Sequence, residues 1–423
     1  MGSKKTGLFV MAAFFFLSLP SVSFGKSDKK DSEDLYKNLD LFSTVLHNVE
    51  NDYVEPVNDK ELIYGAIRGM LDTLDPHSQF MSPDVYKELQ IDTEGRFGGV
   101  GVEITIRDKA LIVVSPLEGT PADLAGLKAG DQILQIDGVP TEGLSLNDTV
   151  KKMRGKKGTS VKLKILRKGK EPFEVALVRD RIQVKSVSGD LTEGRYGSVR
   201  IVSFQERTTK ELEQVLNRLT KEAQGKLAGL VLDLRNNPGG LLEEAVGVSD
   251  TFLDKGVIVT TSNRTEEIDK REAVAEGTFP NVPLVVLVNG GSASASEIVA
   301  GALQDNGRAL IMGTKTFGKG SVQTVYDLGD GSALKLTVAK YFTPSGRSIQ
   351  ADGISPDILV TSEEEGKKVV VEKKFLREED LKGHLEATKV EPKNASDTTQ
   401  DFQKEVALAY LKGLDLFQSL KKN

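Results

Sequence analysis

Short apolar runs alternate with helical patterns through the second half of the chain. Residues 230–234 and 284–288 are rich in β-branched and leucine side chains, which is typical of strands buried on both faces of a sheet. Amphipathic helical spacing follows such runs, and an alternation of strands and helices favours layered α/β folds with parallel strands. The pattern therefore predicts an α/β core over residues 181–360.

Different patterns lie on both sides of this core. Residues 26–94 contain two stretches with apolar side chains at helical spacing, which predict a helical N-terminal segment. Residues 95–180 show two-residue alternation between turn residues, which predicts a separate, mainly β domain. Residues 361–423 are charged and contain one amphipathic helix at 402–417, which we interpret as a packing or oligomerisation surface.

The first 25 residues have the pattern of a signal peptide. Lys4 and Lys5 precede an apolar run over residues 7–19, and small residues Ser23 and Gly25 stand where a signal peptidase cleaves. The run is shorter than the roughly 20 residues of a membrane span, so we expect cleavage, with an uncleaved anchor as the alternative. The protein is therefore expected to be exported, periplasmic or extracytoplasmic, and membrane-associated if the segment is kept.

Composition narrows the chemistry that the chain can perform. The formal net charge of -6 gives no general attraction to nucleic acid, and the absence of cysteine excludes disulfides, thiolate metal sites and a cysteine nucleophile. The three histidines all lie outside residues 183–360, so a Ser-His-Asp triad would need a histidine from another segment. A lysine base is favoured instead, and we expect no metal or organic cofactor.

A serine cluster lies at the centre of the core. Ser292, Ser294 and Ser296 follow a predicted strand and a Gly-Gly turn, and a helix pattern begins directly after them. A strand, a tight turn and a helix can expose a hydroxyl at a sheet edge beside the N–H groups of the helix start. The pattern alone leaves open which of the three serines is exposed.

A candidate base follows on the next loop. Lys319 lies between two glycines, which would allow the loop backbone to bring this lysine into the interior. Burial of that kind would lower the lysine pKa and allow the neutral amine to accept a proton.

The segments SASASE and GKGSVQ resemble the carboxyl-terminal processing, or tail-specific, proteases, which use a serine/lysine dyad. The resemblance runs from about residue 35 to residue 360 and implies a core of crotonase/Clp-protease architecture. It assigns the nucleophile to Ser294, the base to Lys319 and the lysine-orienting amide to Gln323. Asp305 matches an acidic position of the family, and we expect it to support the fold, because a nearby carboxylate would raise the pKa of the lysine.

A second glycine turn is the candidate oxyanion hole. The sequence RNNPGG ends a predicted strand, where open α/β sheets place their sites. Backbone N–H groups of Gly239 or Gly240, together with that of Ala295, would stabilise a developing negative charge. The alternative is a turn that only caps the following helix.

The β domain resembles a PDZ domain, most specifically through SPLEGTPADLAGLKAGDQILQIDG. Consecutive glycines let several N–H groups converge on an anion, and a free strand edge can accept an extended peptide. The alternative is that these glycines only form a bulge. The expected carboxylate-binding loop consists of Phe97, Gly98, Gly99, Val100 and Gly101.

The sequence thus predicts a multidomain α/β serine endopeptidase that recognises the free C-terminus of protein substrates through a PDZ domain. Two alternatives stay open, a catalytically silent PDZ adaptor and a small-acyl hydrolase with a crotonase-like fold. Expected partners are proteins with exposed C-termini. A homo-oligomer formed through the terminal helices and an adaptor protein are further hypotheses, and no nucleic acid is expected.

Overall fold

The structure is a computed structural model that describes residues 28–264, 267–275, 279, 282–361 and 401–422. The predicted signal peptide and most of the segment before the C-terminal helix lie outside the described residues. The chain up to Gly69 forms one compact unit and the chain from Met70 onward forms a second.

The first unit is helical, as the apolar spacing predicts. Helix α1 spans Asp28–Asp52, and helix α2, which spans Asp59–Leu71, ends just inside the second unit. Several large apolar side chains of α1 are exposed, namely Leu35, Tyr36, Leu39, Leu41, Phe42 and Val45. Within the described residues, no helix has the length and apolar character needed to cross a membrane.

The second unit begins with β1 (Gln79–Met81) and α3 (Pro83–Glu94), and the mainly β region follows. Its elements are β2 (Arg96–Gly99), β3 (Val102–Arg107), β4 (Ala110–Pro116), α4 (Pro121–Leu124), β5 (Gln132–Ile136), β6 (Val139–Pro140), α5 (Leu146–Met153), β7 (Ser160–Leu166), β8 (Phe173–Val178) and β9 (Asp180–Gln183). Strands β3, β4, β5, β7 and β8 pair in that order as an antiparallel sheet over an apolar core of its own. Strands β2 and β9 pair with each other at the two ends of this region.

Within the part of the chain that the structure describes, the α/β core contains two sheets and four helices. Its elements are β10 (Val187–Thr192), β11 (Tyr196–Ile201), α6 (Thr208–Glu222), β12 (Gly229–Asp233), α7 (Leu242–Asp250), β13 (Val257–Ser262), β14 (Glu267–Glu272), β15 (Leu284–Val288), α8 (Ala295–Asp305), β16 (Leu310–Gly313), β17 (Ser321–Asp327), β18 (Ala333–Phe342), β19 (Ile358–Leu359) and α9 (Phe402–Lys422).

The main sheet has the order β10-β11-β12-β15-β16-β19, and all of its pairs are parallel except β10 with β11. Alternate residues of its strands bury their side chains on opposite faces, because successive strand residues point in opposite directions. Leu232 packs with α6, α7 and α8 on one face, whereas Val231 packs with α9 on the other. The predicted parallel α/β layers are therefore confirmed.

The structure also contains an antiparallel sheet that the strand-helix pattern did not predict. Its order is β1-β18-β13-β14, and β17 pairs with β18. Helix α9 is longer than the predicted 402–417 segment and buries Ala407, Leu408 and Leu411 against the main sheet. The apolar spacing of the 402–417 segment predicts a buried stripe of Val406, Ala409, Leu411 and Leu414, but Ala409 is exposed.

Candidate active site

Ser294 occupies a strained position between a strand and a helix. Strand β15 ends at Val288, α8 begins at Ala295, and Ser294 between them adopts φ 53° and ψ -112°. A positive φ in a residue other than glycine stores roughly 1–3 kcal/mol and is concentrated at functional sites. The predicted strand, turn and helix are therefore present, with Ser294 at the point where the chain reverses.

The structure distinguishes the three serines of the cluster. The Ser292 hydroxyl donates to the Leu234 carbonyl oxygen at 2.8 Å, and the Ser296 hydroxyl donates to the Asn237 carbonyl oxygen at 2.9 Å. Both serines are fully buried, whereas Ser294 retains 8% exposure. Ser292 and Ser296 thus attach the serine turn, residues 289–294, to the RNNPGG turn, and Ser294 is the serine of the three that retains some exposure.

The buried carboxylate of Glu297 connects the serine turn with the lysine loop, which comprises residues 314–320. Glu297 Oε2 accepts the N–H of Ser294 at 2.8 Å and the N–H of Lys319 at 2.9 Å. Its Oε1 accepts the Thr316 hydroxyl at 2.5 Å and the Gly318 N–H at 2.7 Å. Since two backbone nitrogens share one oxygen atom, Ser294 N and Lys319 N lie no more than about 6 Å apart.

The environment of Glu297 acts on its ionisation in two directions. Burial raises the pKa of the Glu297 carboxyl, and the four hydrogen bonds from Thr316, Ser294, Gly318 and Lys319 oppose that rise without cancelling it. All four partners donate, so both oxygens are needed as acceptors and the ionised form fits the site. The carboxylate therefore holds the backbones of both dyad candidates in place.

The lysine loop is held from a second side by residues 349–354. Gly320 N–H donates to the Gln350 side-chain oxygen at 3.0 Å, and Ala351 N–H donates to the Gly318 carbonyl oxygen at 2.8 Å. Lys319 itself is half-buried. Gln323 lies on the adjoining strand β17 and donates its amide to the Ser321 hydroxyl at 2.7 Å.

The RNNPGG turn lies directly against Ser294. A Cβ atom on Gly239 would lie 2.9 Å from the Ser294 Cβ and 3.0 Å from the Ala295 nitrogen, and the φ of Gly239 is +102°. The Gly239 N–H donates to the Asn237 side-chain oxygen at 2.9 Å. Among the described residues, the N–H groups of Gly240 and Ala295 meet no acceptor. Of the three predicted oxyanion donors, Gly240 and Ala295 are thus open in this conformation and Gly239 is engaged.

Asp305 lies at the opposite end of α8 from Ser294, about 15 Å away along the helix. Its carboxylate accepts the N–H and hydroxyl of Ser345 at 3.0 and 2.7 Å and pairs with Arg347 at 2.5 Å. Burial alone would raise the pKa of Asp305, but hydrogen bonds from Thr343, Ser345 and Arg347 hold it below its usual value. This position supports the expected structural role and separates Asp305 from the dyad candidates.

The predicted carboxylate-binding loop borders a groove. Phe97, Gly98 and Gly99 belong to β2 and pair with β9, and Val100 and Gly101 connect β2 to β3. A cavity of about 230 Å³ lies between β3 and α5. Its lining is Phe97, Gly99, Val100, Gly101, Val102, Ile104, Leu146, Val150, Met153 and Arg154. The groove therefore combines a glycine-containing turn with apolar walls.

The sequence interpretation missed Glu297, Asn237 and Gln350. Glu297 stands three residues after Ser294, and this Ser-x-x-Glu spacing is the capping-box signal that could have identified it. No comparable spacing in the sequence indicates the contacts that Asn237 and Gln350 make. Among the residues that the structure describes, no group of three acidic, histidine or cysteine side chains could hold a metal ion.

Comparisons with known proteins show which family and domains this chain matches. A family model for peptidase family S41 matches residues 195–360, a PDZ domain model matches residues 112–167, and a model for the activating protease CtpB N-terminal domain matches residues 11–85. A carboxy-terminal-processing protease of Bartonella bacilliformis is 42% identical over 422 residues, which cover 97% of this chain and 96% of that protein. The chain belongs to peptidase family S41.

Two further proteins are similar to this chain. The carboxy-terminal processing protease CtpA of Bacillus subtilis is 39% identical to this S41 peptidase over 323 residues, 75% of this chain and 68% of CtpA. The solved photosystem II D1 C-terminal processing protease is 37% identical, with coverage of 76% and 86% and a TM-score of 0.47. The family models and the Bartonella bacilliformis relative show that this S41 peptidase is a C-terminal processing serine protease with a PDZ domain.

Proposed function

We propose that Ser294 is the nucleophile and Lys319 the general base of this S41 peptidase. The observation that carries the proposal is the Glu297 carboxylate, which bonds the backbone N–H groups of both residues through one oxygen atom. The strained φ of Ser294 and the structural hydrogen bonds of Ser292 and Ser296 agree with it. Gln323, on the strand that follows the lysine loop, is proposed to orient the amine.

The proposed reaction proceeds through an acyl-enzyme. The neutral amine of Lys319 takes the proton of the Ser294 hydroxyl as its oxygen attacks the peptide carbonyl. The N–H groups of Ala295 and Gly240 stabilise the oxyanion, and each well-placed donor contributes about 3 kcal/mol to the transition state. Gly239 could join them only by releasing Asn237. The lysine ammonium then protonates the leaving amine, and water hydrolyses the acyl-enzyme.

Substrate selection is proposed to begin at the PDZ groove. Gly99, Val100 and Gly101 line the same cavity as the apolar side chains of Ile104 and Val150. A free carboxylate and an apolar terminal side chain are therefore the proposed occupants. Chains with an exposed, apolar C-terminus are the proposed substrates. This binding mode also favours a protease over an acyl hydrolase that acts on small molecules.

Export to the periplasm is part of the proposal and rests on residues 1–25, whose pattern is that of a signal peptide. Oligomerisation through the terminal helices and a requirement for an adaptor protein stay predictions from the sequence.

The test compares variants on one unfolded protein substrate with an apolar C-terminus. Ser294→Ala, Lys319→Ala and Lys319→Arg should each lose cleavage while keeping the circular dichroism spectrum of the parent, since arginine cannot act as a base. Amidation of the substrate C-terminus should raise KM. Cleavage by Ser294→Ala at the parental rate would overturn the assignment of the nucleophile, and equal KM for the free and amidated substrates would overturn the role of the PDZ groove.

A further inference from the structure

Arg235, the first residue of the RNNPGG turn, has every guanidinium N–H group engaged. Nε and Nη2 donate to the Asp233 carboxylate at 2.9 and 2.7 Å, while Nη1 and Nη2 donate to the Asp401 carboxylate at 2.7 and 2.5 Å. Nη1 also donates to the Gln403 side-chain oxygen at 2.9 Å. An arginine has five N–H donors, so this set is complete. Only a guanidinium can hold two carboxylates in this fork geometry.

Two of these partners belong to the C-terminal helix region. Asp401 directly precedes α9 and Gln403 lies in its first turn, 166 and 168 residues from Arg235. The Gln403 amide also donates to the Val360 carbonyl oxygen at 2.6 Å. Arg235 and Gln403 are both more than nine-tenths buried. The start of α9 is therefore fixed by directed polar contacts to the residue that opens the turn.

The turn after Arg235 reaches the serine turn through its next two residues. Asn236 exchanges hydrogen bonds with the Asn289 side chain, through its N–H at 2.9 Å and its side-chain oxygen at 3.0 Å. The Asn237 carbonyl oxygen accepts the N–H of Ala293 at 3.0 Å and the Ser296 hydroxyl. A displacement of Arg235 would thus move the backbone that presents Gly239 and Gly240 beside Ser294.

We infer that Arg235 is a positioning residue for the oxyanion turn, and that Asp401 and Gln403 of the C-terminal region hold it in the catalytic position. Helix α9 thereby serves catalysis as well as packing. Its apolar face covers the main sheet, while its first residues set the position of a turn that lies against the nucleophile. The inference rests on the proposed roles of Ser294 and Gly240.

The test separates positioning from simple stability with a matched control on the same helix. Asp415 also joins α9 to the core, since its carboxylate accepts the Tyr196 hydroxyl at 3.1 Å and pairs with Arg195. Asp401→Asn makes a chemical change directly before the helix, and Asp415→Asn makes the same change within its second half. Each variant is assayed for kcat and KM well below its unfolding midpoint, and its unfolding by urea is measured separately.

Asp401→Asn should lower kcat about 100-fold with little change in KM, because misplacement of catalytic groups by about 1 Å has effects of that size. Asp415→Asn should keep kcat within about threefold of the parent, and Asp401→Glu should restore part of the lost rate. Gln403→Met, which removes a neutral acceptor and leaves the ion pair, should lower kcat by a smaller factor. It replaces Asp401→Asn as the deciding variant if the latter does not fold.

Parental kcat in both Asp401→Asn and Gln403→Met would overturn the inference. So would equal losses of kcat in Asp401→Asn and Asp415→Asn, since α9 would then act only through stability. The proposed function would survive either result, because it depends on Ser294→Ala and Lys319→Ala, which are assayed on the same substrate.

Discussion

Replacement of Glu297 by glutamine tests whether one carboxylate holds the serine and lysine backbones together. The side chain is fully buried and receives four donors, two on each oxygen. Glutamine keeps one oxygen and turns an NH₂ group towards the other pair of donors. Whichever way the amide is oriented, two donors lose their acceptor.

The magnitude follows from those two donors. Each buried donor left without an acceptor costs about 1–3 kcal/mol, so the loss is about 2–6 kcal/mol. Glutamine also removes a buried charge, and this offsets part of the lost stability because burial disfavours the ionised form of Glu297. We expect the free energy of unfolding of Glu297→Gln, measured with urea, to fall by about 2–4 kcal/mol. Its kcat should fall about 100-fold, because either the Ser294 and Lys319 N–H groups or the Thr316 and Gly318 donors of the lysine loop lose their acceptor.

Glu244→Gln provides the matched control. Glu244 also lies in the first turn of a helix, and its carboxylate accepts the N–H groups of Arg207 and Thr209 and the Thr209 hydroxyl. It should lose stability and keep kcat. Activity is measured as peptide cleavage at a temperature where both variants are folded by circular dichroism. A Glu297→Gln enzyme with kcat within about threefold of the parent, or a Glu244→Gln enzyme with the same loss of kcat, would refute the reasoning.

Three further predictions concern other parts of the molecule. Gly239→Ala should abolish cleavage, because its Cβ would meet Ser294 at 2.9 Å and its φ is +102°; kcat with a circular dichroism control checks this, and cleavage within tenfold of the parent would contradict it. The pKa of Asp305 is lower in the folded protein than in the unfolded chain, so its carboxylate stabilises the fold at pH values above the ordinary aspartate pKa. This stabilisation is lost as the pH falls through the pKa that Asp305 has in the folded state. Asp305→Asn should therefore be less stable by about 1.5–3 kcal/mol at pH 7, and the difference should shrink below about pH 4, as measured by urea unfolding; a constant difference would contradict it. Leu146→Lys, at a groove residue that is 41% exposed, should raise KM for substrates with an apolar free C-terminus and leave kcat unchanged, whereas an unchanged KM would place the binding site elsewhere.

The sequence by itself determined the layers, the mainly β domain and the segments that carry the chemistry. Residues 284–288 are apolar on both sides of a strand, and a helix pattern begins within seven residues of them, so strand, turn and helix were readable locally. The SASASE and GKGSVQ segments identified the family for the same reason. Propensity, turn chemistry and motifs are all encoded within a few neighbouring residues.

Only the tertiary structure decided how these segments meet. The hydroxyls of Ser292 and Ser296 bond carbonyl oxygens 58 and 59 residues away, and no local pattern encodes those contacts. The engagement of the Gly239 N–H by Asn237 depends on the conformation of the folded turn. Arg235 binds Asp401 across 166 residues, and Glu297 binds the Lys319 N–H across 22. Such contacts form only when packing brings distant parts of the chain together. Buried donors and acceptors then pair with groups that are close in space but far away in the sequence.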